Sequence, residues 1–373
     1  MRILHVGNYS PLERMGGVET VTDAVCSRLA GKGHDVKLLC FGKSGRGDGY
    51  EIVGLKTLFM FQEMPVPDLA GFLKILSEVK RAHAVHIHSL TALGAFMATL
   101  ACIYHGRKFI FTLHSHLGVG EYRMGRSLMY RLATWVYNRL ILRFSLSACA
   151  RIHVPSEGYL MLSEHTSGFQ RKDWVIPHGV DLKLLDPKMP ATMPGSEPRV
   201  LFISSLDASR RGRGLELLID SMMGVDAKLV IVGDGDLRSL YEDYCRGEGV
   251  EADFRGYVER SELAGIINSC TLMAFPTMFP ESFGISVAEA MACGLPVIGS
   301  DMGGIPYVIG DAGIIVPAGD VKALAGAIRK LLDDNGLRAD LSSRCIERAR
   351  KEFDWDVIVM EYERLYKVLL HVH

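Results

Sequence analysis

Short apolar segments typical of buried β-strands alternate with helical patterns along most of the chain. Helices are predicted at about residues 18–32 and 91–104, each between two such segments. The segments of the first half are RILHV, DVKLLCF, AVHIH and KFIFTLH, and those of the second half are RVLFISS, KLVIVG, ADFRGYV, LMAFP, LPVIGS and GIIVP. This βαβ alternation predicts an α/β chain in which helices cover doubly wound parallel sheets.

A proline-rich stretch separates the two series of segments and predicts a linker between two domains. Its prolines are Pro187, Pro190, Pro194 and Pro198. With 373 residues the chain is long enough for two domains with sizeable cores. We therefore predict one domain over residues 1–185, a second over residues 186–354, and a final helix within residues 355–373.

The composition, 48% hydrophobic and 23% charged, is ordinary for a globular enzyme. The longest nearly apolar run, residues 90–104, is shorter than the roughly 20 residues that span a bilayer. The opening MRILHVGNYSP is typical of a first strand and not of a secretory leader. Eight scattered cysteines without a CxxC motif favour reduced, buried thiols over disulfides or a zinc site. We therefore expect a cytoplasmic protein.

The formal net charge of −1 hides an asymmetry between the two halves. Residues 1–185 hold 22 basic and 14 acidic side chains, whereas residues 186–373 hold 20 basic and 29 acidic ones. The first half is therefore expected to meet something anionic, either a membrane surface or an acceptor that bears phosphate. Nucleic acid is not expected as a partner, because its binders carry a denser basic footprint.

Two acidic residues flank the start of a predicted helix in the second half. Glu281 and Glu289 stand eight positions apart in FPESFGISVAEAMACGLPVIGSDMGGIP, and the helical pattern begins just after Gly284. If Glu281 lies in the loop before that helix, both carboxylates come close to its N-terminus. The first N–H groups of the helix, including those of Gly284 and Ile285, would then form an anion site. Such a site suits a ligand with phosphates and hydroxyls, as in a nucleotide sugar.

This stretch, with its EAMACGLPVI and GGIP segments, resembles the sugar-donor signature of the retaining GT-B glycosyltransferases, in particular glycosyltransferase family 4. The resemblance implies two Rossmann-like domains facing each other across a cleft, with the final helix crossing back to the acceptor-binding first domain. It further implies that Glu281 grips hydroxyls of the transferred sugar and that Glu289 grips the ribose diol. The backbone of Phe283, Gly284 and Ile285 would hold the phosphates.

Further residues take roles from the same resemblance. GGVE resembles the family's glycine loop, which implies that Gly17 meets the diphosphate or the sugar. FTLHSH resembles the strand-end histidine that contacts the transferred sugar; we favour His114 over His116. GYV resembles the segment that meets the nucleobase, with Val258 as the contact. VIPHGVD resembles the PNGVD turn, with His178 in place of asparagine.

The stretch SSLDASRRGRG departs from the family pattern, in which an arginine and a lysine hold the phosphates. Ser205 stands at the arginine position and Arg213 at the lysine position, so that Arg210 or Arg211 is needed as the second cation. An arginine can still hold phosphate bidentately. No convincing DxD motif is present, so the leaving-group charge is expected to be met by Arg213 and helix N–H groups, without a metal or another cofactor.

Two other patterns leave alternatives open. His86-x-His88 could place two ligands for a metal on one strand face, or the two side chains could serve packing and hydrogen bonding. Residues 121–151 combine apolar residues with six arginines and one acid, either as a helix that lies on anionic lipid or as a solvated basic face. The arginines are Arg123, Arg126, Arg131, Arg139, Arg143 and Arg151.

The expected function is that of a metal-independent, retaining hexosyltransferase. The sugar donor would be GDP-mannose, or UDP-glucose or UDP-N-acetylglucosamine, because the residues do not choose between them. The acceptor would be a glycan, lipid-linked glycan or lipid in the synthesis of cell-surface polysaccharide or glycolipid, with the protein at the inner face of the membrane. A nucleotide-sugar epimerase, a transferase acting on a soluble sugar and a non-catalytic relative remain as alternatives.

Overall fold

The chain folds into two α/β units, each organised around its own sheet. The computed structural model describes residues 1–13, 16–61, 64–89, 92–114, 132, 134–162, 168–185 and 197–371. Unit 1 comprises Met1–Pro155, Ser163–Pro177 and Asp356–His373, and unit 2 comprises Ser156–Leu162 and His178–Trp355.

This division differs from the predicted domains at residues 156–162 and 178–185, which belong to unit 2. Local hydrogen bonds are the reason. The Ser156 hydroxyl donates to the carbonyl of Ser282 at 2.7 Å, and the N–H of Val180 donates to the carbonyl of Phe353 at 2.7 Å. Most of the predicted linker, residues 186–196, lies outside the described residues.

Ten strands of unit 1 lie within the residues that the structure describes. They are β1 (Arg2–Tyr9), β2 (Asp35–Phe41), β3 (Gly45–Arg46), β4 (Glu51–Leu55), β5 (Thr57–Phe61), β6 (Met64–Pro67), β7 (Ala84–Ser89), β8 (Phe109–Leu113), β9 (Arg151–Val154) and β10 (Asp173–Val175). Eight of them form a sheet in the order β10-β9-β8-β7-β1-β2-β4-β3, in which only the β3–β4 pair is antiparallel. β5 and β6 form a separate antiparallel hairpin. All five residues of β8 are buried, as expected for a strand covered on both faces.

Four α-helices lie in the first segment of unit 1 within the described residues. They are α1 (Gly17–Gly31), α2 (Leu69–Arg81), α3 (Ala92–Tyr104) and α4 (Arg143–Ala148), and a π-helical turn at Tyr137–Leu142 leads into α4. α1 begins after Gly16, whose N–H donates to the Glu19 carboxylate at 3.2 Å. α2 begins after Asp68, whose side chain accepts the N–H of Gly71 at 2.7 Å.

Unit 2 contains a six-stranded parallel sheet. Its strands are β11 (Arg199–Ile203), β12 (Lys228–Val232), β13 (Ala252–Gly256), β14 (Leu272–Phe275), β15 (Val297–Ser300) and β16 (Ile314–Val316). Their order is β13-β12-β11-β14-β15-β16, so the strand order reverses between β11 and β14. In open α/β sheets, ligands bind beyond the carboxyl ends of the strands at such a reversal.

Eight helices surround the sheet of unit 2 within the described residues. They are α5 (Glu157–Leu162), α6 (Leu215–Met222), α7 (Arg238–Gly247), α8 (Arg260–Asn268), α9 (Ile285–Ala292), α10 (Ile305–Ile309), α11 (Val321–Asp333) and α12 (Asn335–Glu352). α9 is apolar and its residues from Val287 to Ala292 are all buried. It therefore anchors the site that precedes it in the core of unit 2.

The last helix, α13 (Trp355–His371), belongs to unit 1 from residue 356 onward. Ile358, Tyr362, Leu365, Tyr366 and Leu369 are buried, and their spacing places them on one helical face. This face packs into unit 1, where Tyr366 contacts histidines of β1 and β7. The final helix, predicted within residues 355–373, is thus part of the first unit from residue 356 onward.

Every strand predicted from the sequence is present, and the helices begin and end within two residues of the predicted ones. All eight cysteines are buried, as predicted. In the parts of the chain that the structure describes, no helix is both long and apolar enough to cross a bilayer.

Candidate functional site

The loop between β14 and α9 carries the first candidate carboxylate. Gly284 ends this loop with φ at 95°, a left-handed conformation that favours glycine. A Cβ at this position would lie 2.6 Å from Cδ1 of Ile305, so a larger residue would also have to displace the end of that side chain. Val287 and Ala288 then donate their N–H groups to the carbonyl of Gly284 at 3.0 and 3.1 Å. The N–H of Ile285, the first residue of α9, belongs to this first helical turn, where a helix can bind an anion.

Glu281 is held by its backbone and by its side chain. Its carbonyl accepts the N–H of Gly304 at 2.7 Å. A Cβ on Gly303, which has φ at 60°, would lie 2.4 Å from the same oxygen, so the GGIP segment packs directly against the glutamate. Oε1 of Glu281 accepts a hydrogen bond from Nε of Arg213 at 2.6 Å, and the residue is only 8% exposed. The carboxylate therefore has a fixed position.

Arg213 ends a 3₁₀ turn over Ala208–Arg213 that follows β11. Besides the bond to Glu281, its Nη1 donates to the hydroxyl of Ser204 at 3.2 Å, and its guanidinium lies 5.9 Å from the ring centroid of Phe275. Of the two predicted second cations, Arg211 pairs with Glu216 at 2.7 Å. Arg210 lies in the same turn as Arg213.

Glu289, the fifth residue of α9, forms the second pair. Its Oε1 accepts a hydrogen bond from Nη2 of Arg260 at 2.7 Å, and its side chain is 9% exposed. Burial raises the pKa of Glu289, and the charge and hydrogen bond of Arg260 oppose this rise. Arg260 begins α8 two residues after the predicted nucleobase contact Val258, which is half-buried against the core of unit 2.

Arg260 and Ser204 belong to the site but were not predicted from the sequence. Arg260 could have been noticed as the cation that follows the GYV segment, since a buried carboxylate needs a partner. Ser204 gave no such signal, because serine at a strand end is common.

Phe283 is a core residue, with 1% of its surface exposed. Its ring makes edge-to-face contacts with His178 and Phe353, both at 5.3 Å between ring centroids. The histidine that replaces asparagine in the VIPHGVD turn therefore packs against the loop that carries Glu281. Only the backbone of Phe283 is left for the predicted phosphate contact.

Two predicted site residues lie in unit 1. Gly17 is the first residue of α1 and is exposed. His114 follows directly after β8 and is 4% exposed, and its Nε2 lies 2.9 Å from Nδ1 of His88. Burial lowers the pKa of His114 to about 3, so its imidazole is neutral at physiological pH. The alternative His116 lies outside the described residues.

His86 and His88 belong to a buried group of histidines. Together with His5 they bring ligand nitrogens within 4.8 Å of one another, a spacing that a metal ion could use. The same nitrogens, however, make hydrogen bonds within unit 1, including one of 3.0 Å between His5 and His88. These bonds agree with the predicted alternative of packing and hydrogen bonding.

The basic segment predicted over residues 121–151 is described from residue 134 onward and at residue 132. Arg139 and Arg143 are exposed there. Three large apolar side chains of the same segment are also exposed: Trp135 by 57%, Leu140 by 59% and Phe144 by 44%. Arg123, Arg126 and Arg131 lie outside the described residues.

The chemistry of unit 2 combines two carboxylates with two arginines. Each carboxylate accepts about four hydrogen bonds, and each guanidinium donates five. Neither pair uses this full capacity for the bonds between its own members. The site can therefore bind hydroxyl groups through Glu281 and Glu289, and phosphate oxygens through Arg213 and the N-terminus of α9.

Two family models match the chain. Residues 15–184 match the model described as Glycosyltransferase Family 4, and residues 197–334 match the model described as Glycosyl transferases group 1. Together the two matches cover most of the chain and parts of both units.

Related proteins include a phosphatidyl-myo-inositol mannosyltransferase of Mycobacterium leprae, 34% identical over 203 residues, which are 52% of this chain and 53% of that protein. A GDP-mannose-dependent monoacylated alpha-(1-6)-phosphatidylinositol monomannoside mannosyltransferase of Corynebacterium glutamicum is 27% identical over 212 residues, 52% of this chain and 55% of that protein. The chain therefore matches these curated relatives over about half of their length.

The fold is similar to that of solved structures. An Anabaena protein in complex with UDP and glucose has a TM-score of 0.79 at 18% identity, with 98% of this chain and 99% of that chain covered. Structural neighbours include GT-B glycosyltransferases. The chain belongs to glycosyltransferase family 4 and has the GT-B fold.

Proposed function

We propose that this protein is a retaining hexosyltransferase that uses a nucleotide diphosphate sugar. GDP-mannose is the first candidate, because the related proteins of M. leprae and C. glutamicum are mannosyltransferases. UDP-glucose and UDP-N-acetylglucosamine are the next candidates, since an Anabaena protein of the same fold binds UDP and glucose. The observation that carries the proposal is the ion pair of Glu281 with Arg213, which joins a hydroxyl-binding group to a phosphate-binding group at 2.6 Å.

Each residue of the pair keeps hydrogen-bonding capacity for the substrate. Arg213 donates Nε–H to Glu281 and an Nη1 proton to Ser204, which leaves further N–H groups of the guanidinium for phosphate oxygens. Glu281 accepts the arginine through Oε1 and can accept sugar hydroxyls beside it. The sugar and the diphosphate are thus bound next to each other, close to the bond that breaks.

Other residues complete this assignment. Glu289 binds the ribose diol, and Arg260 keeps it ionised against the effect of burial. Val258 contacts the nucleobase. The backbone of Phe283, Gly284 and Ile285 binds the phosphates. In unit 1, Gly17 contacts the diphosphate or the sugar, and His114 contacts the transferred sugar.

The reaction is proposed to need no metal ion. The bond from the sugar to the diphosphate breaks with negative charge developing on phosphate oxygens. Fixed N–H groups that point at such oxygens contribute roughly 10²–10³ in rate per group. Arg213, Arg210 and the N-terminus of α9 would supply them. We expect a chelator to leave the transfer rate unchanged, and a loss that Mg²⁺ restores would contradict metal independence.

The acceptor is proposed to be a lipid or a lipid-linked glycan at the inner face of the membrane. Trp135, Leu140 and Phe144 are exposed beside Arg139 and Arg143 in unit 1. Apolar side chains next to cations are typical of segments that lie on anionic lipid. Peripheral contact of this kind would bring the enzyme to its acceptor.

A panel of nucleotide sugars tests the proposed function. The protein is incubated with each compound, and its thermal stability and the slow hydrolysis of the compound are measured. The matching sugar donor is expected to stabilise unit 2, and product analysis after addition of lipid acceptors is expected to show a retained anomeric configuration. Formation of an epimer without acceptor would overturn the proposal in favour of an epimerase.

A matched pair of variants tests the assignment of Glu281. Glu281→Gln keeps the shape of the side chain but removes its charge, and we expect transfer to fall by on the order of 10²-fold or more. Glu251→Gln, which breaks the ion pair with Lys228 at 2.6 Å on the surface of unit 2, should retain activity. Full activity of Glu281→Gln would refute the assignment.

A further inference from the structure

Seven side chains of unit 1 form one continuous buried chain of hydrogen bonds that ends at a backbone carbonyl. This chain of hydrogen bonds connects side chains on or next to β1, β7, β8, β9 and α13. In order from one end, its members are His114, His88, His5, Tyr366, His86, Thr112 and His153, followed by the carbonyl of Ile176.

The first half of the chain connects His114 to the final helix. Nε2 of His114 lies 2.9 Å from Nδ1 of His88, and Nε2 of His88 lies 3.0 Å from Nδ1 of His5. Nε2 of His5 lies 3.2 Å from the hydroxyl of Tyr366. These side chains are at most 4% exposed, so water does not compete for the bonds.

The second half connects Tyr366 to the carbonyl. Its hydroxyl lies 2.7 Å from Nδ1 of His86, and Nε2 of His86 lies 2.5 Å from the hydroxyl of Thr112. That hydroxyl lies 2.8 Å from Nδ1 of His153, and Nε2 of His153 lies 2.9 Å from the carbonyl oxygen of Ile176.

The five imidazoles are neutral, so each carries a single N–H proton. Burial lowers the pKa of His5 and of His114 to about 3, and that of His153 to about 4. The pKa values of His86 and His88 are also lowered far below the ordinary value by burial. A neutral imidazole donates from one nitrogen and accepts at the other.

The carbonyl of Ile176 fixes the direction of every bond, because a carbonyl oxygen only accepts. Nε2 of His153 must therefore carry the proton, and its Nδ1 accepts from Thr112. The Thr112 hydroxyl has then used its proton and accepts from Nε2–H of His86. Nδ1 of His86 in turn accepts the proton of the Tyr366 hydroxyl.

The remaining hydrogen bonds run in the same direction as far as His114. The Tyr366 oxygen accepts from Nε2–H of His5, Nδ1 of His5 accepts from Nε2–H of His88, and Nδ1 of His88 accepts from Nε2–H of His114. Seven protons serve seven bonds. His114 is left with a lone pair, and no proton, on Nδ1.

We propose that this chain locks His114 in the tautomer with the proton on Nε2, so that its Nδ1 acts as a hydrogen-bond acceptor for a hydroxyl group of the transferred sugar. The contact with the sugar rests on the proposed function, whereas the tautomer follows from the network alone. His88, His5, Tyr366, His86, Thr112 and His153 are positioning residues that act through His114. Because the chain ends at a carbonyl, which cannot release a proton, it orients His114 and does not conduct protons.

The tautomer can be measured without any enzymatic activity. In long-range ¹H–¹⁵N correlation spectra of the ¹⁵N-histidine-labelled protein, protonated and bare ring nitrogens have distinct shifts, and single histidine substitutions assign the signals. All five imidazoles of the chain are expected to carry their proton on Nε2. A proton on Nδ1 of any of them overturns the proposal. Signals that shift when a chelator is added would identify the histidines as metal ligands and would also overturn it.

Substitution of Thr112 tests whether the carbonyl of Ile176 fixes the tautomer of His114 through the hydrogen bonds between them. Thr112→Val removes the hydroxyl that connects His86 to His153. The carbonyl of Ile176 then no longer fixes the direction of the hydrogen bonds beyond Thr112. The four imidazoles on that side can therefore exchange donor and acceptor in all of their hydrogen bonds together. His86, His5, His88 and His114 should change to the Nδ1–H tautomer, while His153 keeps its proton on Nε2. Thr112→Ser restores the hydroxyl and should restore the wild-type pattern. An unchanged His114 tautomer in folded Thr112→Val would overturn the proposal.

Tyr366→Phe provides a second variant if Thr112→Val does not fold. It breaks the chain of hydrogen bonds at the tyrosine. His5, His88 and His114 are therefore expected to change to the Nδ1–H tautomer, whereas His86 and His153 keep their protons on Nε2. Retention of the wild-type tautomer at His114 in this variant would again overturn the proposal.

Deoxyfluoro sugar donors test the contact with the substrate. Fluorine can accept but cannot donate a hydrogen bond, so wild-type protein should use one of the monofluorinated analogues poorly. The ratio of kcat/KM for the natural sugar donor to kcat/KM for that analogue should be about tenfold smaller in Thr112→Val, because Nδ1–H of His114 then donates a hydrogen bond. The wild-type ratio should return in Thr112→Ser. Equal discrimination by both variants overturns the sugar contact. If no nucleotide sugar is turned over, the proposed function fails while the spectra still decide the tautomer.

Discussion

Lowering the pH from about 7.5 to about 5.5 is expected to destabilise unit 1 strongly, because five histidines are buried there in neutral form. His5, His86, His88 and His153 have almost no exposed surface, and His114 is 4% exposed. Their pKa values are all lowered by burial, to between about 3 and about 4 where a value is resolved. In the unfolded chain these imidazoles titrate near their ordinary value of about 6.5.

The sign follows from the protons bound by each state. Between pH 6.5 and pH 4, the unfolded state binds more protons than the folded state, so the free energy of unfolding falls as the pH falls. The full stability is present above pH 6.5. It is lost progressively towards pH 3 to 4, where the folded histidines would also take up protons.

The magnitude is large because five groups act together. One pH unit below its ordinary pKa, each neutral histidine lowers the free energy of unfolding by about 1.4 kcal/mol. Five of them lower it by about 7 kcal/mol, against a total of roughly 5–15 kcal/mol for a typical domain. Carboxyl groups contribute little in this range, since their ordinary pKa values are about 4.

Urea unfolding at a series of pH values measures the effect. The chain has three tryptophans, and Trp135 and Trp174 lie in unit 1, whereas Trp355 lies in unit 2. In a Trp355→Phe background, fluorescence therefore reports on unit 1 alone. The slope of the unfolding free energy against pH gives the number of protons taken up on unfolding.

A histidine variant separates the buried cluster from other groups. His153→Gln should reduce the proton uptake on unfolding by about one. A wild-type unfolding free energy that stays constant between pH 7.5 and pH 5.5 would refute the assignment of neutral, buried imidazoles.

Three other predictions concern the remaining contacts. Arg260→Met removes the cation that opposes the raised pKa of Glu289, so the KM for the sugar donor should rise several-fold and rise further as the pH is lowered from 8 to 6, which steady-state kinetics would show. Gly284→Ala should destabilise unit 2 by about 1–3 kcal/mol in thermal unfolding, because its backbone is left-handed; an unchanged Tm would count against this strain. Trp135→Ser should weaken cosedimentation with phosphatidylglycerol vesicles, while Leu240→Ser, at an exposed apolar position of unit 2, should not; equal binding by both would argue against the membrane contact.

Much of the fold could be predicted because its central strands are covered on both faces. Such strands appear in the sequence as short apolar runs, and LMAFP and KFIFTLH are clear examples. The hairpin of β5 and β6 was not predicted, since it contains two prolines and its exposed Leu58, Phe59 and Met60 do not follow the pattern of a buried strand.

The candidate site could be predicted in part. Glu281 and Glu289 stand beside a glycine and a helix start, which are local features of the sequence. Their partners come from elsewhere in the chain: Arg213 lies 68 positions from Glu281, and Arg260 lies 29 positions from Glu289. Such pairs depend on strand order, which local patterns do not contain.

The chain of hydrogen bonds through the buried histidines of unit 1 was even less predictable from local sequence patterns. His5 is a single histidine in an apolar strand and gave no signal of its own. It meets His88 and Tyr366 only because β1 lies beside β7 in the sheet and α13 packs on both. A network of this kind becomes visible only when the tertiary structure is known.

Because unit 1 is assembled from three separate segments, the order of synthesis on the ribosome matters for this protein. Its sheet is made first, but α13, which contributes the buried Tyr362 and Tyr366, is made last. The long segment His178–Trp355 of unit 2 leaves the ribosome before α13 does. The apolar surface of the first unit that α13 covers therefore stays exposed until α13 has been synthesised. Chaperones that shield such surfaces during translation should raise the yield of native protein.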